Sequence, residues 1–229
     1  MRVTNRPDLE IAGIGNAAGG EYYKVKMEGV CKIDGPIDCF EFEASGMTTV
    51  GSLRAEQRLK VNGKLTSHGA LQAGNAELEG QITVNGPLRA DHMSMNGFVR
   101  VKGHCELKQS KARGALIVDG WLTGEQIEMK LEGPLQAEGI KAQRLVVQHS
   151  GKGNLRKLIE SLLPHNWQAQ AQARTIEADI VELEETVAQV VRGRTVIIGR
   201  GCDIDRVEYV SELIVHPQAQ VRSRQQIEG

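Results

Sequence analysis

Aromatic side chains are scarce in this chain, at 3% of its 229 residues. Large side chains from two facing sheets normally fill the core of a β-sandwich, so this scarcity disfavours a conventional sandwich. It favours instead a narrow interior that small aliphatic residues can fill.

Cysteine is also rare, and its spacing excludes the common cysteine motifs. The four cysteines (Cys31, Cys39, Cys105 and Cys202) form no C-x-x-C pair, and the six histidines are scattered without H-x-x-x-H or H-E-x-x-H spacing. These patterns predict reduced thiols in a cytoplasmic protein, with no metal site and no cofactor.

The chain also lacks long apolar runs and an excess of charge of either sign. No run of eighteen apolar residues occurs, and residues 1–20 contain no apolar core of signal-peptide length. The 28 Lys and Arg nearly balance the 29 Asp and Glu. We therefore expect no transmembrane segment, no secretion by a signal peptide and no nucleic-acid partner.

Glycine, in contrast, is abundant and periodic. Six glycines lie seventeen residues apart, and a second series follows six residues later with one serine in it: Gly29, Gly46, Gly63, Gly80, Gly97 and Gly114, then Gly35, Ser52, Gly69, Gly86, Gly103 and Gly120. A fixed period of this length is typical of a repeat architecture.

Each repeat contains three pairs of apolar residues spaced by two. One repeat, for example, contains Ala76 and Leu78, then Ile82 and Val84, then Leu88 and Ala90. Spacing by two is the period of a β-strand, and the glycines fit the corners between strands. The sequence predicts an all-β, three-sided parallel β-helix with about seventeen residues per turn, stacked about 4.8 Å apart. We expect a right-handed coil, the usual hand of parallel crossovers.

The pattern changes along the chain and predicts five segments. Residues 1–20 are expected to be a flexible tail, 21–148 regular turns, 149–174 an insertion, 175–217 the final turns, and 218–229 a second tail. The insertion carries apolar residues at helical spacing, which predict one short amphipathic α-helix: Leu155, Leu158, Ile159 and Leu162. This helix would either pack on the β-helix or dock on a partner or a lipid surface.

The regular turns have no inserted loops with which to build a cleft. The distinctive surfaces of such a coil are its flat sides and its two ends, where strand edges invite another chain to pair. Candidate polymer-interface residues near the ends are Tyr22, Val25, Tyr209, Leu213 and Val215. Three functions stay open: a self-assembling structural protein, a carbohydrate-active or acyltransferase enzyme on a β-helix, and a monomeric binding module that uses a flat side.

The turns Gly80-Gln-Ile-Thr-Val-Asn-Gly86 and Gly97-Phe-Val-Arg-Val-Lys-Gly103 resemble those of bactofilins. The closing stretch 176–199 is similar to the longer bactofilins of Gram-positive bacteria, and the resemblance covers roughly residues 24–215. It implies a non-enzymatic bacterial cytoskeletal protein that polymerises end to end without nucleotide or metal. Such a homopolymer would support cell shape, cell-wall organisation or motility, together with cell-wall or membrane-associated proteins at the inner face of the membrane.

Overall fold

The computed structural model describes residues 6–150 and 167–228, and all its regular structure there is β. Its strands are β1 Leu9–Ser67, β2 Leu71–Val84, β3 Leu88–Val101, β4 Cys105–Val118, β5 Trp121–His149, β6 Ala171–Leu183, β7 Thr186–Ile198, β8 Asp203–Val215 and β9 Gln220–Gln226. Each strand pairs in parallel with the next strand in sequence, which gives one sheet in the order β1 to β9. Because β1 is 59 residues long, it forms several successive turns of the coil.

The sheet coils on itself because the buried residues repeat at the glycine period. Leu71 pairs with Leu88, Leu88 with Cys105, and Cys105 with Leu122, each seventeen residues further along. Three pairs of buried residues per turn point into one continuous hydrophobic core. The predicted all-β parallel solenoid is therefore confirmed, while the right-handed sense of the coil stays a prediction.

The glycines sit where two turns approach most closely. Gly80 has a φ of +109°, and a Cβ built there would lie 2.2 Å from the carbonyl oxygen of Gly63. The position requires glycine, because the two backbones approach this closely and because a positive φ is unfavourable for residues with a side chain. The seventeen-residue period is therefore fixed by backbone contact between turns.

The period drifts after the sixth glycine. Between β4 and β5 the register shifts after Gly114, so that Leu116 pairs with Leu135. Further on, Ala171 pairs with Thr186 and Val187 with Asp203, which are turns of fifteen and sixteen residues. These shorter turns still stack because inward residues pair with inward residues, even across a further register shift after Gly193.

The prediction of a flexible tail over residues 1–20 is wrong from Leu9 onwards. This stretch belongs to β1, and Gly13 forms a corner beneath Gly29 with a φ of +87°. Leu9, Ile11 and Ala17 pack on the core. The many glycines and small residues of the stretch fit the tight corners of a solenoid turn, and they do not indicate a loose terminus.

The predicted C-terminal tail, residues 218–229, is likewise mostly strand. β9 pairs with β8 from Gln220 to Gln226, and within it Val221 packs on the core. A polar strand forms there because backbone hydrogen bonds to β8 do not depend on the side chains.

The predicted insertion at 149–174 is too long at its C-terminal side, because β6 begins at Ala171. The helix residues Leu155, Leu158, Ile159 and Leu162 lie outside the described residues. In the part of the chain that the structure describes, there is no helix long and apolar enough to cross a membrane.

Candidate functional site

The N-terminal end of the coil is formed by the turn that begins β1. This turn covers Val25, which is fully buried, so its prediction as an interface residue is wrong. Tyr22 is half-buried, and its hydroxyl donates a hydrogen bond to the carbonyl of Ala18 at 3.2 Å. The outermost apolar residues that pack on the core at this end are instead Leu9 and Ile11.

A strap before β1 fastens this end to later turns. The Arg6 guanidinium donates to Asp38 at 3.0 Å, reaches Glu56 at 3.5 Å, and lies 5.6 Å from the centre of the Phe40 ring. The backbone N–H of Tyr23 donates to the carbonyl of Pro7 at 2.9 Å. These contacts tie the first turn to the two that follow it.

The C-terminal end is only partly covered. β9 pairs with β8 from Asp203 to Tyr209, so Tyr209 has a neighbour, Gln226, on its outer side. On the inner side, toward the rest of the coil, Leu213 pairs with Val196 and Val215 pairs with Ile198. No strand among residues 6–150 and 167–228 pairs with their outer edge.

This open edge is also apolar. Leu213 and Val215 are half-buried and pack on the core, while Ile214 between them is 48% exposed. Of the residues proposed from sequence for the polymer interface, Leu213 and Val215 therefore lie at an end of the described coil with an unpaired strand edge.

A small apolar cluster lies on one side of the coil, separate from the core. It consists of Phe98, Ala115 and Ile117, all less than 10% exposed, with Trp167 packed on them. Sequence reasoning missed this cluster. A signal was present in the unbroken apolar run Ala115–Val118, because alternation places every second residue of such a run on the outer face.

The chain returns to the same side of the coil just after β5. The Ser150 N–H donates to the carbonyl of Leu131 at 3.1 Å, and its hydroxyl donates to the buried carboxylate of Glu132 at 3.2 Å. Arg113 donates to that same carboxylate. Ser150 and Trp167, the described residues on either side of 151–166, therefore both contact this side of the coil.

A groove runs along the coil over β4 to β9, and its lining residues include Gln136 and Gln172. Arg222 lies 2.6 Å from Asp203 and 2.8 Å from Asp205. The hydrogen bond to Asp203 raises the pKa of the Arg222 guanidinium. Because one guanidinium engages both carboxylates, this part of the groove presents a hydrogen-bonding surface on which one carboxylate charge is left in excess.

Within residues 6–150 and 167–228, no group of three or more His, Cys, Asp or Glu side chains lies close enough to hold a metal ion. The four thiols are all free and buried, and burial raises the pKa of Cys105 to about 12.

Comparison with known proteins finds relatives in Bacillus subtilis (strain 168). The chain is 36% identical over 107 residues to the uncharacterized protein YhbE, a match that covers 46% of this chain and 43% of that protein. It is 46% identical over 52 residues to the uncharacterized protein YhbF, covering 23% of this chain and 22% of the relative. The matches thus span less than half the length of either relative.

No protein-family profile matches the chain, and no solved structure matches it. By its parallel strand pairing, the described part of the chain belongs to the class of parallel β-solenoids.

Proposed function

We propose that this protein is a structural scaffold that assembles end to end through the open strand edges of its solenoid. The half-covered C-terminal turn carries this proposal. Leu213, Ile214 and Val215 present an apolar strand whose outer edge pairs with no described residue. Unpaired N–H and C=O groups beside apolar side chains form a template for another strand.

The opposite end offers a surface of the same kind. Leu9 and Ile11 pack on the core from the first turn of the coil, and no described strand lies outside them. Full burial of an exposed aliphatic side chain contributes about 1.5–3 kcal/mol, and covering the exposed remainder of Leu9 and Ile11 contributes a part of this, in addition to the strand hydrogen bonds. Contacts of this size between two ends would not need a nucleotide to supply free energy.

The resemblance to bactofilins supports the same role. Under this proposal the protein is a cytoplasmic homopolymer that organises cell-wall, cell-shape or motility machinery, with cell-wall or membrane-associated proteins as further partners. Contacts between like ends would give a non-polar filament, and head-to-tail contacts a polar one.

Leu213→Lys tests the proposal. A buried ammonium at the contact between ends is costly, so we expect end-to-end assembly to weaken at least about tenfold. Sedimentation velocity and negative-stain electron microscopy of the purified chain, with and without nucleotide, would measure filament formation and length. The wild-type chain is expected to form filaments in both conditions.

Gln72→Lys is the matched control, because Gln72 is exposed on a side of the coil, far along the chain from either end. It adds the same charge and is expected to leave assembly unchanged. A wild-type chain that stays monomeric at tens of micromolar would refute end-to-end assembly. So would equal effects of the two substitutions.

A further inference from the structure

Three exposed apolar side chains stack in one column along the side of the coil, at its N-terminal end. They are Ile14, Val30 and Met47, which are 90%, 46% and 53% exposed. Each follows a glycine of positive φ, namely Gly13, Gly29 and Gly46. Since these glycines stack directly on one another, the three side chains form a continuous stripe.

The same column continues along the coil, where its side chains become polar and then apolar again. The next two turns place Lys64 and Gln81 there, and the following two place Phe98 and Ala115. Phe98 and Ala115 are buried beneath Trp167. In the turns of Phe98 and Ala115, where Trp167 covers it, the column is therefore apolar. In the two turns before them it is polar.

The stripe formed by Ile14, Val30 and Met47 differs, because its apolar side chains are exposed. Adjacent apolar side chains on a surface typically mark a contact with a partner. The charges beside the stripe identify the kind of partner. Glu28 and Lys32 lie in the same turn as Val30, one on each side of it, and both are exposed.

We propose that this stripe is where a second copy of the chain packs, side by side and in the same direction. A two-fold axis parallel to the stripe would place Glu28 of each copy opposite the partner's Lys32. A two-fold axis across the stripe would instead place Glu28 opposite Glu28. Within the chain Glu28 already pairs with Lys26, and Lys32 with Asp34. Exposed ion pairs of this kind contribute only about 0–1 kcal/mol, so Glu28 and Lys32 can exchange partners across the contact. Opposite charges there favour the parallel arrangement.

An anionic lipid surface fits the stripe less well. Lys32 lies 2.7 Å from Asp34, and Lys26 lies 2.9 Å from Glu28, so both lysines in the turn of Val30 have a carboxylate neighbour. Surfaces that bind anionic membranes carry an excess of unneutralised Lys and Arg.

The pairing deepens the proposed function and rests on it. Three side chains and their neighbours cover far less than the roughly 800 Å² per partner of a standard stable interface. A single pair is therefore weak, whereas two filaments joined through many such stripes gain by multivalency. End contacts set the length of a filament, and this stripe joins filaments side by side.

Cysteine cross-linking tests the arrangement, because the four native thiols are buried. In parallel pairing, like positions meet. We expect Met47→Cys to cross-link to itself under mild oxidation, Ile14→Cys likewise, and Gln72→Cys on another side of the coil to stay monomeric. Cross-links that form only between a mixed pair of Ile14→Cys and Met47→Cys would overturn the parallel arrangement.

Charge reversal supplies a second, independent measurement on the Met47→Cys background. Glu28→Lys and Lys32→Glu are each expected to reduce the cross-linking rate at least about threefold, and a mixture of the two proteins to restore it. Thermal melting checks that both variants fold. Lack of restoration on mixing would overturn the proposal, as would cross-linking that requires vesicles of anionic lipid.

The two proposals fail in different ways. Cross-links at Met47→Cys in a protein that forms no filaments would support the side-by-side pairing and refute end-to-end assembly. Filaments of normal length without those cross-links would support end-to-end assembly and refute the pairing.

Discussion

Replacing Gly80 with alanine is expected to destabilise the solenoid by about 3–5 kcal/mol, or to prevent its folding. Gly80 has a φ of +109°, and the added Cβ would lie 2.2 Å from the carbonyl oxygen of Gly63. The obstacle is backbone, so no side chain can rotate away, and the two turns must separate. Backbone strain of this kind costs about 1–3 kcal/mol before the lost stacking contacts are counted.

Gly69→Ala is the matched control in the second glycine series. Gly69 has no positive φ, and its added Cβ would lie 3.1 Å from the Cβ of Ser52. The carbonyl oxygen of Gly51 lies 3.3 Å from this added Cβ, so the neighbours need to shift by only a few tenths of an ångström to admit the methyl group. We expect a loss of under about 1 kcal/mol in urea unfolding followed by circular dichroism. Equal losses for the two variants would mean that the Gly80 corner is not under backbone constraint.

The fold was predictable because two independent signals agree in the central turns. The glycine period gives the length of a turn, and the alternation of pairs such as Ile82 and Val84 gives its strands. Both follow from backbone geometry: parallel stacking brings equivalent residues together, and only glycine fits where turns meet.

The two ends were harder to predict, because they form strands although their amino-acid composition is typical of loose termini. The stretch after Leu9 is rich in glycine and poor in large apolar residues, which is also typical of loose termini. β9 is almost wholly polar, with Gln, Arg and Ser side chains. In both places the backbone of the neighbouring turn stabilises the strand, and that contribution leaves no hydrophobic pattern in the sequence.

The error at Val25 follows directly from the error at the first turn. If residues 1–20 were a tail, Val25 would belong to the outermost turn, whereas the structure covers it completely. Leu213 and Val215 lie on a strand edge that pairs with no described residue, close to the stop at His216-Pro217 that limits β8, and their place in a polymer interface stays a prediction. The stripe formed by Ile14, Val30 and Met47 could be found only once the first turn had been added to the coil.

Raising the pH above about 9 is expected to destabilise the fold through its buried thiols. Burial raises the pKa of Cys105 from 9.0 to about 12, and burial likewise raises the pKa of Cys39 to about 12. The unfolded chain therefore loses these protons at a lower pH than the folded chain does. The thiols' contribution to stability is complete below pH 9 and is lost as the pH rises towards 12.

Each such thiol lowers the free energy of unfolding by about 1.4 kcal/mol per pH unit across this window. Urea unfolding between pH 7.5 and 11, in the wild type and in Cys105→Ala, measures this slope. The alanine variant is expected to be less stable at neutral pH, because it leaves a small cavity, yet to lose stability less steeply above pH 9. Every other titratable side chain is the same in both proteins, so the difference in slope isolates the thiol. Identical slopes would mean that the Cys105 proton is lost at the same pH in the folded and unfolded chains. That outcome would contradict a dry interior at the centre of the coil.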